Sequence, residues 1–252
     1  MKVSVIIPCH NYDKYIEQCI MSVLLQRVNF DVEILIGDDN SSDDSYETIK
    51  RLKYYYECDK FKFHIIKNDI NIGEVNNTKQ LIDNSSGDYI AYLDADDYWI
   101  NPYKLQKQVN FMENNTDYSM CFTGYIMLSE GKYIPNISFT NWLCPVDINK
   151  LDSENLVYGN FVGSSSSRLF RNYKDLISDN FYNFFEASGI PGSDWALNFE
   201  LSLRGKIQYL DFAGYLYRTH NDSLSKKMNH SNTEENIKKR IDILKKVKYN
   251  EQ

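Results

Sequence analysis

Residues 89–99 read YIAYLDADDYW, an apolar run that ends in three aspartates within four residues. The run predicts a buried β-strand, and Gly87-Asp88 breaks the chain before it. The aspartates then lie at the carboxyl end of the strand, where open α/β sheets bind ligands. In an extended segment Asp94 and Asp96 share one side, and a cation such as Mg²⁺ or Mn²⁺ would relieve their repulsion. The alternative is a solvated acidic turn that caps the next helix.

The segments before this strand alternate between strand and helix patterns. Short apolar runs predict strands, and apolar residues at helical spacing follow each run. The strands are predicted at Val3–Ile7, Val32–Ile36, Phe63–Ile66 and Tyr89–Leu93, and the helices at 16–24, 46–52 and Val75–Ile82. Repeated βα units predict an α/β fold with a mostly parallel, doubly wound sheet flanked by helices.

Beyond residue 100 the pattern is mixed. Asn101-Pro102 is typical of a helix start, and this helix is predicted to continue to Met112. Further strands are predicted at Tyr118–Thr123, Tyr125–Ile134 (with a turn at Glu130-Gly131), Ile207–Leu210 and Tyr215–Arg218, and further helices at Ser193–Leu203 and Asn232–Val247. Residues 135–160 give weak signals and no detailed prediction. The simplest organisation is one domain followed by a C-terminal tail.

Composition narrows the function classes. Of 252 residues 42% are hydrophobic, which indicates a globular protein, and the formal charge of −7 argues against a nucleic-acid partner. The five cysteines are scattered and odd in number, so we expect no structural zinc. With no signal-peptide pattern and no apolar run of about 20 residues, we expect a cytoplasmic protein. The basic tail could contact an anionic membrane, although a solvated helix is the stronger expectation. Its basic residues are Lys238, Lys239, Arg240, Lys245, Lys246 and Lys248.

Four other positions are candidates for chemistry at strand ends or helix starts. Asp38-Asp39 follows the second strand, where a carboxylate could accept a hydrogen bond from a nucleobase or cap the next helix. Tyr12 follows the first strand and could pack on a base. Asp194 stands at a predicted helix start, where an N-cap role is the alternative. His220 ends the last strand, where a ligand role competes with a structural one.

The order of these motifs resembles that of family 2 glycosyltransferases. The resemblance covers roughly residues 3–225 and is carried by VSVIIPCHNYDKYIEQCIMSVLLQ, EILIGDDNSSDDS, NIG, GDYIAYLDADDYW and GSDWALNFELSLRGKIQYLDFAGYLYRTHNDSLS. It implies the nucleotide-diphospho-sugar transferase fold called GT-A. Residues 1–225 would form the GT-A domain, with a nucleotide-binding half at 1–100 and an acceptor half at 101–225. Residues 226–252 would form a C-terminal helical tail.

The resemblance also implies roles for individual residues. The donor-binding residues would be Pro8, Asn11, Tyr12, Asp38, Asp39, Lys79, Asp94 and Ala95, with Asp39 favoured for contact with uracil. Asp96 would be the principal metal ligand, His220 a further metal or diphosphate contact, and Asp194 the general base. Relatives often carry Ala-Arg-Asn where this chain has Asn77-Thr78-Lys79. Lys79 would then have to supply the charge of the missing arginine, without its planar fork.

The implied activity is metal-dependent transfer of a sugar, with inversion, from a nucleotide sugar to an acceptor hydroxyl. A UDP-sugar is the default donor, Mn²⁺ or Mg²⁺ the cofactor, and a saccharide, lipid-linked or protein molecule the acceptor in surface glycan, polysaccharide or glycoconjugate synthesis. One alternative is a non-catalytic nucleotide-sugar-binding module. Another is a haloacid-dehalogenase-like phosphatase, although that class carries its Asp-x-Asp on the first strand rather than the fourth.

Overall fold

The computed structural model describes residues 1–129, 131–136, 151–158, 162–173, 193–220 and 234–250. The strands are β1 (Lys2–Cys9), β2 (Asp31–Asp38), β3 (Phe61–Lys67), β4 (Tyr89–Tyr92), β5 (Tyr98–Trp99), β6 (Tyr118–Ser129), β7 (Lys132–Asn136), β8 (Leu169–Arg171) and β9 (Lys206–Thr219). The helices are α1 (Ile16–Leu24), α2 (Ser45–Tyr56), α3 (Glu74–Asp83), α4 (Lys104–Asn114), α5 (Ser153–Leu156), α6 (Ser193–Arg204) and α7 (Glu234–Asn250).

These strands form one mixed sheet in the order β3-β2-β1-β4-β8-β6-β9-β5, and β7 pairs with β6. The first four strands are parallel, so their carboxyl ends meet at one edge. The predicted α/β class, the four parallel strands and the three helices between them are confirmed. At Gly37 of β2 an added Cβ would lie 2.1 Å from Oδ1 of Asn77, so helix α3 approaches this strand closely.

The second half of the sheet differs from the prediction in its strand lengths. The sequence predicts one strand at 118–123 and another at 125–134 divided by a turn at Glu130-Gly131, but β6 runs unbroken from Tyr118 to Ser129, and β7, from Lys132 onwards, pairs with it. The two short strands expected at 207–210 and 215–218 are one strand, β9. Irregular pairing between β6 and β9 around Thr123–Tyr125 explains the mistake, since it interrupts the side-chain alternation. Glu130 of the predicted turn lies outside the described residues.

Two hydrophobic cores cover the two faces of the sheet. One contains apolar residues of α1, α2 and α4, such as Val23, Ile49 and Leu105, and the other contains residues of α3, α5, α6 and α7. The C-terminal helix α7 therefore packs against the domain: Ile243 is buried, and Arg240 lies over the ring of Trp195 at 5.1 Å. Arg240 was expected to face solvent with the other basic residues of the tail, but its side chain is buried, so that expectation is wrong. The domain boundary predicted at 225/226 lies outside the described residues.

No helix in the described ranges has both the length and the apolar composition that crossing a bilayer requires.

Candidate active site

The three aspartates after β4 form a tight turn. The amide of Asp97 donates to the carbonyl of Asp94 at 3.0 Å, so the segment is not extended as the sequence analysis assumed. The hydroxyl of Ser166 lies 3.1 Å from Oδ2 of Asp94 and 2.7 Å from Oδ2 of Asp97. Asp94 and Asp97 therefore share a partner, and the expected pairing of Asp94 with Asp96 on one side is wrong.

Asp96 instead faces the end of strand β9. Its Oδ2 lies 3.0 Å from Nε2 of His220, although the two residues are 124 positions apart in sequence. Antiparallel pairing of β5 with β9 brings them together, and the amide of Arg218 donates to Oδ1 of Asp97 at 2.9 Å. The structure thus places the two residues predicted as metal contacts side by side.

Aromatic rings surround this pair. The ring centroid of Tyr15 lies 5.1 Å from that of His220, and the ring of Tyr12 meets His220 edge-on at 6.3 Å. Burial, followed by the negative charge of Asp96, raises the pKa of the Tyr12 hydroxyl above its ordinary value. Tyr12 therefore presents a neutral phenol beside the aspartate turn.

The carboxylates of the turn are poorly compensated by protein cations. Removal from water, followed by the charges of Asp194 and Asp96, raises the pKa of Asp94 well above its ordinary value. Removal from water and the charges of Asp96 and Asp94 do the same for Asp97, although hydrogen bonds from Arg218 and Ser166 oppose the rise. A divalent cation would relieve this repulsion.

The donor atoms available at the turn fit such a cation. Within the described residues no group of three histidine, cysteine or carboxylate side chains is arranged to hold a metal, so Asp96 and His220 would supply two protein ligands. Mg²⁺ sites commonly use one or two protein ligands together with substrate phosphates and water. Oδ2 of Asp96 and Nε2 of His220 lie 3.0 Å apart, close enough for both atoms to contact one cation.

Asp194 lies in the first turn of helix α6. Its Oδ1 accepts hydrogen bonds from the hydroxyl of Ser165 and from Nη2 of Arg168, the latter at 2.7 Å. The Asp194 side chain is 38% exposed, whereas that of Arg168 is fully buried. One oxygen of Asp194 is therefore fixed from inside the protein while the carboxylate remains accessible.

A short segment that the sequence analysis did not identify joins these groups. We call residues 164–167 the serine turn; it contains the 3-10 helix Ser165–Ser167 and leads into Arg168 and β8. Ser164 and Ser166 contact Asp94 and Asp97, and Ser165 contacts Asp194. A run of serines has no hydrophobic period and matches no catalytic motif, so the sequence offered no signal for this role.

Asp39 anchors a neighbouring loop. Its carboxylate accepts hydrogen bonds from Nδ2 of Asn68 and from the amides of Ile72 and Gly73, each at 2.9 Å. A carboxylate has about four acceptor positions, so one remains for a nucleobase N–H. Its predicted contact with uracil stays a prediction.

The other predicted donor residues occupy varied positions along the carboxyl edge. Asn11 has a positive φ of 60°, and its side-chain oxygen Oδ1 accepts a hydrogen bond from the amide of Ser42 at 2.8 Å, which joins the loops after β1 and β2. Asp38 is fully buried, and its Oδ1 has no hydrogen-bond partner within the described residues. Pro8 lies buried in β1, and Ala95 is buried in the aspartate turn.

Lys79 and Thr78 lie on helix α3. The Lys79 ammonium pairs with Asp83, one turn further along the helix, at 2.8 Å. Thr78 stands where the family resemblance implies an arginine, and its hydroxyl lies 2.9 Å from the hydroxyl of Tyr92. No guanidinium therefore occupies this position, and contact of Lys79 with a diphosphate stays a prediction.

Solved structures share this fold. The chain matches Staphylococcus aureus TarS 1–349 in complex with UDP-GlcNAc at a TM-score of 0.66 and 17% identity, covering 92% of this chain and 62% of TarS. It also matches the mannosyltransferase PcManGT from Pyrobaculum calidifontis, in complex with GDP-Man and Mn²⁺. The TM-score is 0.62 and the sequence identity 12%, and the match covers 89% of this chain and 59% of PcManGT. At these identities the matches establish a common architecture, that of the GT-A fold.

The family follows from the sequence itself. The model of glycosyl transferase family 2 matches residues 4–182, and the chain belongs to that family. Among curated relatives, the putative teichuronic acid biosynthesis glycosyltransferase TuaG of Bacillus subtilis is 34% identical over 129 residues, or 51% of this chain and 48% of TuaG. The matched regions span from 21% to 58% of the length of the curated relatives. Family membership confirms the resemblance and removes the phosphatase alternative.

Proposed function

We propose that this chain transfers a sugar from a nucleotide-sugar donor to an acceptor hydroxyl, with inversion at the anomeric carbon and dependence on Mn²⁺ or Mg²⁺. The observation that carries the proposal is the pairing of Asp96 with His220 at the sheet edge of a family 2 chain. We assign residues 1–100 to donor binding and 101–225 to the acceptor side. Asp96 and His220 would hold the cation.

A UDP-sugar is the proposed donor. TarS, which shares the fold, binds UDP-GlcNAc, and the carboxyl edge of the parallel strands is the usual ligand position in such sheets. The base and ribose would contact Pro8, Asn11, Tyr12, Asp38 or Asp39, and Ala95. Asp94 would contact the ribose or the water shell of the metal.

The proposed reaction is a single displacement. Asp194 accepts the proton of the acceptor hydroxyl as that oxygen attacks the anomeric carbon, and the bond from that carbon to the diphosphate oxygen breaks on the opposite face. A bound divalent cation would neutralise the negative charge that grows on the departing diphosphate. Asp194 suits the role of base because its side chain is 38% exposed while Oδ1 is held by Ser165 and Arg168. Attack opposite the leaving group inverts the configuration.

The acceptor is proposed to be a saccharide, a lipid-linked molecule or a protein in surface glycan synthesis. The relative TuaG, whose name assigns it to teichuronic acid biosynthesis, supports the polysaccharide option. A cytoplasmic location, with peripheral membrane contact through lysines of helix α7, remains part of the proposal.

A second candidate is a nucleotide-sugar-binding module without catalysis. The observation that favours it is Thr78, whose hydroxyl contacts Tyr92 at the position where the family resemblance implies an arginine. Donor binding without transfer and without slow donor hydrolysis would support this candidate.

A panel of nucleotide sugars tests the proposal. Hydrolysis or transfer should occur with one donor in the presence of MnCl₂ and stop when EDTA removes the metal. By titration calorimetry, Asp96→Ala should raise the metal-dependent Kd for the donor by about tenfold or more, equivalent to about 1.4 kcal/mol. Asp59→Ala, which removes an exposed carboxylate just before β3, is the matched control and should bind normally. Unchanged metal-dependent binding by Asp96→Ala would contradict the metal assignment.

A further inference from the structure

Arg168 is an unusual residue for the interior of this protein. Its side chain is fully buried, yet Nε and Nη1 have no hydrogen-bond partner within the described residues. Burying a guanidinium with unpaired donors is unfavourable, because the lost hydration is not replaced. Its contribution to folding therefore does not account for its presence, whereas residues at functional sites often sacrifice stability.

Within the described part of the chain, this guanidinium hydrogen bonds to Asp194 alone. Nη2 donates to Oδ1 of Asp194 at 2.7 Å, and the hydroxyl of Ser165 donates to the same oxygen. Both donors come from a segment whose backbone is fixed: the amide of Arg168 donates to the carbonyl of Ser165, and Gln108 donates to the carbonyl of Ser167. Oδ1 is thus clamped, and rotation of the carboxylate is restricted.

We propose that Arg168 is the positioning residue for Asp194, fixing one carboxylate oxygen so that the other faces the acceptor hydroxyl. This inference rests on the proposed function, in which Asp194 is the base. Displacement of a reacting group by about 1 Å can lower a rate by about 10²-fold, so the clamp matters for turnover more than for donor binding.

Three variants separate positioning from a structural role. Arg168→Met removes the clamp and keeps the volume, and Arg168→Lys keeps the charge but offers no planar fork. Arg171→Met is the matched control: Arg171 lies three residues further along the chain, in β8, but donates to the carbonyls of Tyr118 and Met112, away from the site. For each variant we would measure the melting temperature, the donor KM and the kcat per folded molecule.

The expected result is a split between kcat and KM. Arg168→Met should lower kcat by about 10- to 100-fold with a donor KM changed by less than about threefold. Arg168→Lys should recover part of that loss. The melting temperature of Arg168→Met should stay level or rise, because Asp194 is accessible to water and no unpaired guanidinium remains. Arg171→Met should lower the melting temperature and leave kcat unchanged.

A double variant tests whether Arg168 acts through the base. In an Asp194→Asn background, Arg168→Met should reduce the residual rate by less than about twofold, since residues that act as a unit are not additive. Full kcat in Arg168→Met would overturn the role of Arg168, and so would a double variant in which the two single losses multiply. In either case an inactive Asp194→Asn would leave the proposed function standing. Full transfer by Asp194→Asn would instead remove the base assignment, and this inference with it.

Discussion

Two groups of acidic residues in this protein are treated in opposite ways. Glu33 and Asp39, in the parallel half of the sheet, are 3% and 2% exposed, and each accepts several hydrogen bonds from its surroundings. The acids at the carboxyl edge, Asp94, Asp96 and Asp194, are more accessible and are held by serines, one histidine and one arginine. The first group organises loops, with Asp39 also keeping one acceptor position for the proposed base, and the second group keeps oxygens available for ligands. Substitution should therefore affect stability in one group and activity in the other.

The largest effect is expected at Asp194. Asp194→Asn removes the proposed proton acceptor, so kcat should fall by about 10²- to 10⁴-fold. Donor binding measured by calorimetry with UDP and Mn²⁺ should be retained, and the melting temperature should change little because the side chain is 38% exposed. Loss of folding together with activity would place Asp194 in the first group instead of the second.

The next largest effect is expected at Glu33, whose contribution to folding stability depends on pH. Burial alone would raise the pKa of Glu33, but hydrogen bonds from Ser4, Ser86 and Lys2 outweigh it and lower the pKa from 4.5 to about 2. This shift corresponds to about 3 kcal/mol of stability above pH 4.5, which is lost as the pH falls towards 2 because protonation of Glu33 then favours the unfolded chain.

Glu33→Gln tests this dependence by urea denaturation at several pH values. The variant should be less stable than the original protein at pH 7, and the difference should shrink between pH 4.5 and the lowest pH at which the protein folds. Glu47→Gln, which changes an exposed carboxylate on α2, is the control and should cost less than about 0.5 kcal/mol. A difference that stayed constant with pH would show that the Glu33 network does not lower its pKa.

A smaller effect is expected at Asp39. Asp39→Asn replaces an acceptor of three hydrogen bonds with an amide whose NH₂ faces N–H donors, which should cost about 1–3 kcal/mol. Thermal unfolding should show the loss, and UDP affinity should fall because the loop at residues 68–73 loosens. A normal melting temperature with weakened UDP binding would move Asp39 into the group that serves ligands.

The sequence could predict the features that are encoded locally, but not those that arise from contacts between distant residues. Strands β1 to β4 and helices α1 to α3 were predicted because each is encoded by a local apolar pattern, and Asp96 and Asp194 were identified through family motifs. The family resemblance suggested both Asp96 and His220 as contacts to the metal, but no local pattern indicated that they lie side by side, since this depends on the two-residue strand β5 meeting β9. The serine turn and Arg168 were missed because their roles arise only from tertiary contacts.

The contacts of strand β9 affect the order in which parts of the protein can fold during synthesis. Arg218, near its end, donates to the carbonyl of Asp96 and to Gln18 of helix α1, so the last strand is fastened to one of the first helices. During synthesis on the ribosome the early βα units can form as they emerge, but the aspartate turn meets its histidine only after more than a hundred further residues have been made. A nascent or truncated chain that ends before β9 would carry the acidic turn without the imidazole opposite it.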